Sequence, residues 1–422
     1  MSVFFKCRTA LHKYHMILEL AIIQGANAIF PVLIFPFMLI NLGADIFSKI
    51  AVAEVLATYI LIFSLYSFDI IGVQNIISKK NKEEVYKVYL VTLICRLLLF
   101  VTSSIAMLTI IFYINIAVSH YLLLFLLYPL GMVLQSNYYF QAVSDNKPLA
   151  ILVLLTRGTA LLLIYFFDAS DSVQRSYFFV IFISSGYFLS GLFSVLYILF
   201  KNRKLRVDIH FSDISSNILS GWHLFMANVF VILYRNSNVL ILGALASPAA
   251  TAIYATAEKV IKCVQAIATP VNQFYFTNLL KNHEVRTHPY GIGEYRYAIW
   301  KSTNVQLIIM VMIVSVLSFM GAVVLHISGS LTHMWGTIII LSIMSTAIFM
   351  GVINFMFGSI GLSVIGLKKE FSVMTAMTGL ATIILSLILS YLFSEKGAAL
   401  AYVSAELILM MMIFRLYSVR KL

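Results

Sequence analysis

Three observations predict an all-α, polytopic membrane protein. Of 422 residues, 61% are hydrophobic and only 11% charged, against roughly 45–50% and 25% in soluble domains. Apolar runs recur along the whole chain at about 20 residues each, the length a helix rising about 1.5 Å per residue needs to cross the hydrocarbon of a bilayer. The runs lack period-2 alternation and far exceed the roughly nine to eleven residues of a membrane-barrel strand, which excludes a barrel.

About twelve spans follow in order. The first, 16–40, comes after Lys6, Arg8 and Lys13 and contains Pro31 and Pro36, each of which removes a backbone hydrogen bond and can kink the helix. Signal-peptide cleavage at Ala26-Asn27-Ala28 would leave Ile29 to Ile40, too short to span, so this helix is expected to remain uncleaved. Spans two and three, 50–77 and 88–114, are separated by the basic segment around Lys79, Lys80, Lys82 and Lys87. Span four, 121–142, carries Pro129 and ends in Asn137-Tyr138-Tyr139-Phe140-Gln141. Those rings and amides suit stacking on sugars, although an interfacial anchor is the commoner use of such a run. Span five, 149–167, starts behind Lys147 and leaves at Asp168, and span six, 177–200, runs into KNRKLRVDIHFSDISSN, Lys201 to Asn217. Spans seven and eight, 221–245 and 251–279, are joined at Ser247-Pro248, and the eighth contains Pro270. Spans nine to twelve are 300–326, 334–366, 372–393 and 398–417, the last two separated by Ser394 to Gly397.

The Lys201–Asn217 segment is the longest inner connection and lies almost at the midpoint. It divides a six-helix lobe, 1–200, and a linker, 201–220, from a second six-helix lobe, 221–422. A faint echo links the halves. Lys147 and Lys368-Lys369 open helices with an acid just past their ends, and Gly43-Ala44 before Glu54 parallels Gly243-Ala244 before Glu258. Each half has an even number of spans, so the expectation is parallel repeats with substrate bound between the lobes. Inner segments hold Lys6, Arg8, Lys13, Lys79, Lys80, Lys82, Lys87, Lys147, Lys201, Arg203, Lys204 and Arg206 among others, while outer ones hold only Lys49, Arg175 and Lys396. By the positive-inside rule both termini are cytoplasmic. Most of the formal net charge of +12 is therefore topological, and no nucleic-acid partner is expected. Cys7, Cys95 and Cys263 lie on the cytoplasmic side or within the membrane, where no disulfide is expected.

Outer loops such as Ile114 to His120 leave no room for a folded outer domain, which disfavours an integral membrane polymerase or transferase. The chain has no Gly-Lys-Ser phosphate loop, HExxH pair or CxxC pair. No enzyme activity, metal or cofactor is expected, and energy must come from an ion or substrate gradient. The informative residues are the charges inside the spans: Glu54, Asp69, Arg96, Arg157, Arg235, Glu258, Lys259, Lys262 and Glu406. Each costs about 3 kcal/mol at a helix centre, so each should face a cavity or a partner. Arg235 lies roughly 21 Å from the cytoplasmic end of its helix, too deep to snorkel easily, and is the first candidate for a substrate contact. Lys259 and Lys262, three apart, share a face. Arg96 and Arg157 are each roughly 12 Å deep, within snorkelling reach. Glu258 and Lys262 have the i,i+4 order in which they can simply neutralise each other. The candidate set is Arg235, Lys259, Lys262 and Arg157 for substrate, and Glu258, Glu54 and Asp69 for ion coupling.

The stretches FQAVSDNKPLAILVLLTRG, NSNVLILGALASPAATAIYATAEKVIKCVQAIATP and GAALAYVSAELI, in this twelve-span layout, resemble bacterial Wzx-type flippases. These form the polysaccharide-transporter branch of the multidrug/oligosaccharidyl-lipid/polysaccharide (MOP) exporter superfamily. The resemblance spans nearly the whole chain and rests on order and spacing more than on identities. It implies a MATE-like, MOP-type fold in the bacterial inner membrane. It also implies translocation of an undecaprenyl-diphosphate-linked oligosaccharide, an O-antigen or related unit, from the cytoplasmic to the periplasmic leaflet. The expected partners are that lipid-linked substrate, membrane lipids, a proton or sodium ion, and a polysaccharide polymerase with its chain-length regulator. In such proteins the first two helices of each lobe line the cavity, which adds Glu54 and Asp69 to its wall. The acidic Glu258 beside Lys259 departs from a purely diphosphate-binding pattern. A cation-coupled multidrug exporter of the same superfamily is the alternative, for which a more acidic cavity is expected.

Overall fold

A computed structural model describes the backbone of residues 2–114, 116–169, 171–285, 297, 299–315, 332–362 and 367–420. Side chains 2–18, 20, 21, 116, 223, 224, 227, 228, 230–235, 267–285, 332–334 and 368 lie outside the description. Among the described residues the protein is helical, with no strand. Among the described residues seven helices are long and apolar enough to cross a membrane, two of them more than 50 residues long. The protein is a multi-pass membrane protein.

Helix α1 runs Ser2–Leu65, and 64 residues unbroken would extend about 96 Å, three times the hydrocarbon thickness. It is broken at Gly43 (φ 76°, ψ 166°), a left-handed backbone that glycine adopts without a Cβ clash, so that two spans follow one another. Helical backbone angles continue through Pro31 and Pro36. The second predicted span is itself interrupted. Tyr66 takes φ 54°, and α2, Phe68–Ile77, starts afresh. Tyr66 is held in this unfavourable conformation by stacking on Phe225 at 4.2 Å.

Helix α3 is Lys82–Ile114. The fourth predicted span forms three pieces: α4, Ile116–Phe125, α5, Leu127–Gln135, and α6, Asn137–Ala142. Pro129 explains the first break, since it lacks the N–H that would bond to the Phe125 carbonyl and here sits in the first turn of α5. Ser136, at φ 50°, makes the second. Helix α7 is Lys147–Phe166 and α8 is Ser172–Lys201. Asp171 caps α8 by accepting from the amides of Val173 and Gln174, both at 3.2 Å. Where α5 crosses α8, a Cβ on Gly131 would lie 2.3 Å from the Tyr187 carbonyl carbon, and one on Gly191 2.1 Å from the Gly131 oxygen. Only glycine permits this approach, the small-residue contact typical of helix pairs in lipid.

The segment after α8 is strapped to the first unit. Leu205 and Val207 pack on the cluster containing Tyr86, Tyr89 and Tyr139, and Lys201 bonds Asp145 at 2.6 Å. Helix α9, Phe211–Leu245, begins with Asp213 reaching back to the His210 amide at 3.0 Å while it pairs with Lys87 at 2.9 Å. These contacts hold the Asp213 carboxyl below the usual carboxylate range, the Lys87 hydrogen bond contributing most. The Asp145 hydrogen bond likewise raises the Lys201 amine.

Helix α10, Pro248–Val285, follows the Ser-Pro turn, with Ser247 Oγ capping the Ala250 amide at 3.2 Å. Helices α11, Ile299–Ser315, and α12, Thr332–Ile353, precede a π-helical segment, Asn354–Leu362. Helix α13, Lys368–Val419, breaks at Ser394 (φ 54°, ψ −131°) and so supplies the last two spans. Two compact units result, Met1–Val229 and Phe230–Leu422, dividing within α9. The first is built mainly from α5 and α7 against α8 with α1 across them, the second from α10, α12 and α13.

Candidate functional site: buried charge in the helices

In the first unit Arg157 is 3% exposed on α7. Its Nη1 donates to the Gly186 carbonyl and to Ser190 Oγ at 3.4 Å, and Nη2 donates to Asn27 Oδ1 at 3.1 Å. The guanidinium lies 3.5 Å from the Tyr187 ring centroid and 5.9 Å from that of Phe30. Arg157 therefore ties α7 to α1 and α8. The rings of Phe30 and Tyr187 also wall a small cleft with Phe35, Phe125 and Tyr128, and Glu54 is the carboxylate in that wall.

Asp69 and Arg96, 27 residues apart in sequence, form an ion pair at 2.8 Å. Arg96 is 1% exposed and Asp69 47%. The guanidinium also lies 4.5 Å from the Tyr138 ring centroid. The aromatic run Tyr138-Tyr139-Phe140 is itself buried in the core, where it packs the helices together and presents no face to the membrane interface or to a sugar.

In the second unit Glu258 is 1% exposed, and its Oε2 lies 3.2 Å from Lys262 Nζ. Lys262, 32% exposed, also donates to Asn236 Oδ1 at 2.6 Å. The i,i+4 pair thus forms, with an amide from the neighbouring helix as third member. Lys259 is half-buried on the same helix. The backbone of Arg235 is helical within α9, but its side chain lies outside the described residues.

Two polar junctions in this unit add partners that sequence reasoning missed, Asn238 and, opposite the already noted Glu406, Asn354. Asn238 donates to Tyr254 at 2.7 Å and accepts from Ser386 at 2.6 Å. Glu406, 2% exposed, accepts from Asn354 at 2.7 Å through its carboxylate and at 2.8 Å through its carbonyl. Asn354 opens the π segment, an irregularity often found at functional sites. The available signal was an amide in an oily span, which has to find a partner there. The described cysteines Cys95 and Cys263 are free, and no cluster of three metal-ligating side chains occurs among the described residues.

Such a set of buried, paired charges in an all-helical membrane protein suits binding and moving charged cargo. Comparison with known proteins gives the family and the fold. The family model described as "Polysaccharide biosynthesis protein" matches residues 16–276. A protein of Escherichia coli (strain K12) named "Putative O-antigen transporter" is 22% identical over 393 residues, 92% of this chain and 93% of the relative. One of the same name from Shigella dysenteriae is 22% identical over 267 residues, 63% of this chain and 67% of the relative. Among solved structures, an inward-facing MATE family multidrug transporter of the MOP superfamily aligns with a TM-score of 0.68 at 15% identity, over 94% of each chain. The lipid II flippase MurJ aligns at 0.64 and 14% identity, over 92% of this chain and 87% of its own. These likenesses establish a MOP-type fold. The chain belongs to the polysaccharide biosynthesis protein family.

Proposed function

We propose that this protein flips an undecaprenyl-diphosphate-linked oligosaccharide, an O-antigen or related surface-polysaccharide unit, from the cytoplasmic to the periplasmic leaflet of a bacterial inner membrane. In this reading it works by ion-coupled alternating access with both termini cytoplasmic. The family and the names of the relatives support the cargo class. The observation that carries the mechanism is the Glu258–Lys262–Asn236 cluster, a buried carboxylate controlling a partly accessible cation. With Glu258 ionised, Lys262 is neutralised in place. Protonating Glu258 releases that positive charge to an anionic head group, and deprotonation withdraws it, so proton and substrate each bias the two access states. Arg235 and Lys259 are the further cations assigned to the diphosphate. Arg157, taken up by Gly186, Ser190, Asn27 and Tyr187, acts as a positioning residue. Glu54 and Asp69 are the next carboxylates on which coupling would rest. The experiment is genetic: cells lacking the protein should lose surface polysaccharide and accumulate the lipid-linked unit inside, both reversed by re-expression. Undiminished display in its absence contradicts the proposal.

A second reading, a cation-coupled multidrug exporter, is favoured by one observation, the five aromatic rings around Glu54 in the first-unit cleft, which suit an organic cation. Efflux of tetraphenylphosphonium from reconstituted vesicles without movement of lipid-linked sugar would establish it.

A further inference from the structure

The Asp69–Arg96 pair is only half made. Asp69 takes a single guanidinium nitrogen, Nη2, and the adjacent Nε has no hydrogen-bond partner although Arg96 is 1% exposed. Nε and Nη2 lie on one edge of the guanidinium and together form the fork that binds two oxygens of one phosphate. A buried donor left unmet is costly, so this edge is short of an acceptor. The second observation is the start of α2, ten residues long, where Asp69 sits in the first turn. No side chain caps this helix, because Ser67 gives its hydroxyl to the Gly221 carbonyl at 2.9 Å. The Ser67 carbonyl takes the amides of Ile70 and Ile71 at 3.1 Å, so those of Phe68 and Asp69 lead the helix, and the Arg96 fork meets this first turn through the Asp69 carboxylate. Asp69 is itself 47% exposed and free to swing out, while Arg96 is held from behind by the Tyr138 ring.

We infer that Arg96 and the N-terminus of α2 form a binding site for the phosphate of a lipid, with the Asp69 carboxylate as an internal stand-in that the ligand displaces. A phosphate supplies what Asp69 does not: a second oxygen for Nε, and acceptors for the leading amides of α2. Displacement also makes occupancy conditional. Only a ligand with more charge or more oxygens than one carboxylate gains by exchange, which selects phosphates over neutral or singly bonded groups. Two sources share this chemistry, the diphosphate of a polyprenyl-linked substrate and the headgroup of an anionic phospholipid. The first rests on the flippase reading and the second does not.

The test uses the full chain, purified in a neutral detergent, with farnesyl diphosphate and a short-chain phosphatidylglycerol as probes and farnesol as the uncharged control. Asp69→Asn keeps the shape and removes the competing charge, and should tighten binding of a phosphate probe roughly tenfold while leaving farnesol unchanged. Asp69→Glu, long enough to fill both nitrogens of the fork, should weaken it by a similar factor and serves if the Asn variant fails to fold. Arg96→Gln should remove the response to either Asp69 change. Tightening for the diphosphate alone assigns the site to the substrate, and equal tightening for both probes assigns it to headgroups. Affinities unmoved by the Asn and Glu variants, or moved alike for farnesol, overturn the site and leave a structural ion pair. A site that responds to Asp69 in a protein that moves no lipid in vesicles would retain this inference and discard the flippase reading.

Discussion

Glu258→Gln is the most informative single change. At 3.2 Å and an effective dielectric of about 20, the Glu258–Lys262 attraction is about 5 kcal/mol. Lys262 is 32% exposed, so solvent screens a good part of this, and about 2 kcal/mol is a reasonable release of cationic charge when the carboxylate is neutralised. Asn236, still bonded to Lys262 at 2.6 Å, keeps the amine in place. At about 1.4 kcal/mol per tenfold, the variant should bind a polyprenyl diphosphate roughly 10- to 30-fold more tightly at neutral pH than wild type. It should also lose the dependence of transport on an imposed pH gradient, because its neutral side chain mimics one protonation state permanently. The assay is equilibrium binding in detergent paired with transport in reconstituted vesicles at several internal and external pH values. Wild type indifferent to pH, or a Gln variant that keeps the full response, would show that Glu258 is only a structural partner of Lys262.

Other expectations follow from the same structure. Arg235→Ala should abolish polysaccharide display with the protein still in the membrane, and Arg235→Lys should retain part of it, since lysine keeps the charge but loses the fork; normal display by the Ala variant removes Arg235 from the site. Gly131→Leu should prevent folding, because its Cβ alone would meet the Tyr187 backbone at 2.3 Å, and melting of the purified protein at the wild-type temperature would contradict the α5–α8 packing. Asp213 titrates below its ordinary value, so its contribution to holding the linker exists above about pH 4 and is lost as pH falls through its lowered folded-state value. Hydrogen exchange in peptides covering 205–218, corrected for intrinsic rates, should therefore be constant near neutrality and accelerate in acid, and Lys87→Ala should abolish the difference. Cysteines replacing the exposed Lys204 and Ser418 should resist impermeant thiol reagents in intact spheroplasts while one replacing Lys396 reacts; the reverse pattern would invert the orientation.

The spans were legible because hydrocarbon thickness converts directly into run length, and the Gly43 and Pro129 breaks follow from backbone chemistry that sequence displays. The Ser394 break falls in the Ser394–Gly397 connection expected between the last two spans, whereas the breaks at Tyr66 and Ser136 were not legible, since no local preference places those residues at φ near +50°. For Tyr66 the cause is stacking on Phe225, 159 positions away along the chain. The same division holds for charge. Glu258 and Lys262 meet because one helical turn separates them, and sequence spacing suffices. Asp69 with Arg96, Glu406 with Asn354, and Asn238 with Ser386 are brought together by helix packing, and nothing in either partner's neighbourhood names the other.

The central claim is movement of a lipid-linked sugar between leaflets. Its most direct measurement is a fluorescent undecaprenyl-diphosphate oligosaccharide in vesicles holding the purified protein, with an impermeant quencher reporting the outer leaflet. Only about half the label starts accessible in a symmetric vesicle. Protein-dependent exposure of the remainder, accelerated by a pH gradient and absent for the same fluorophore on undecaprenol, is the predicted result. Exposure no faster than in protein-free vesicles, with the protein folded and either gradient polarity imposed, would contradict the account.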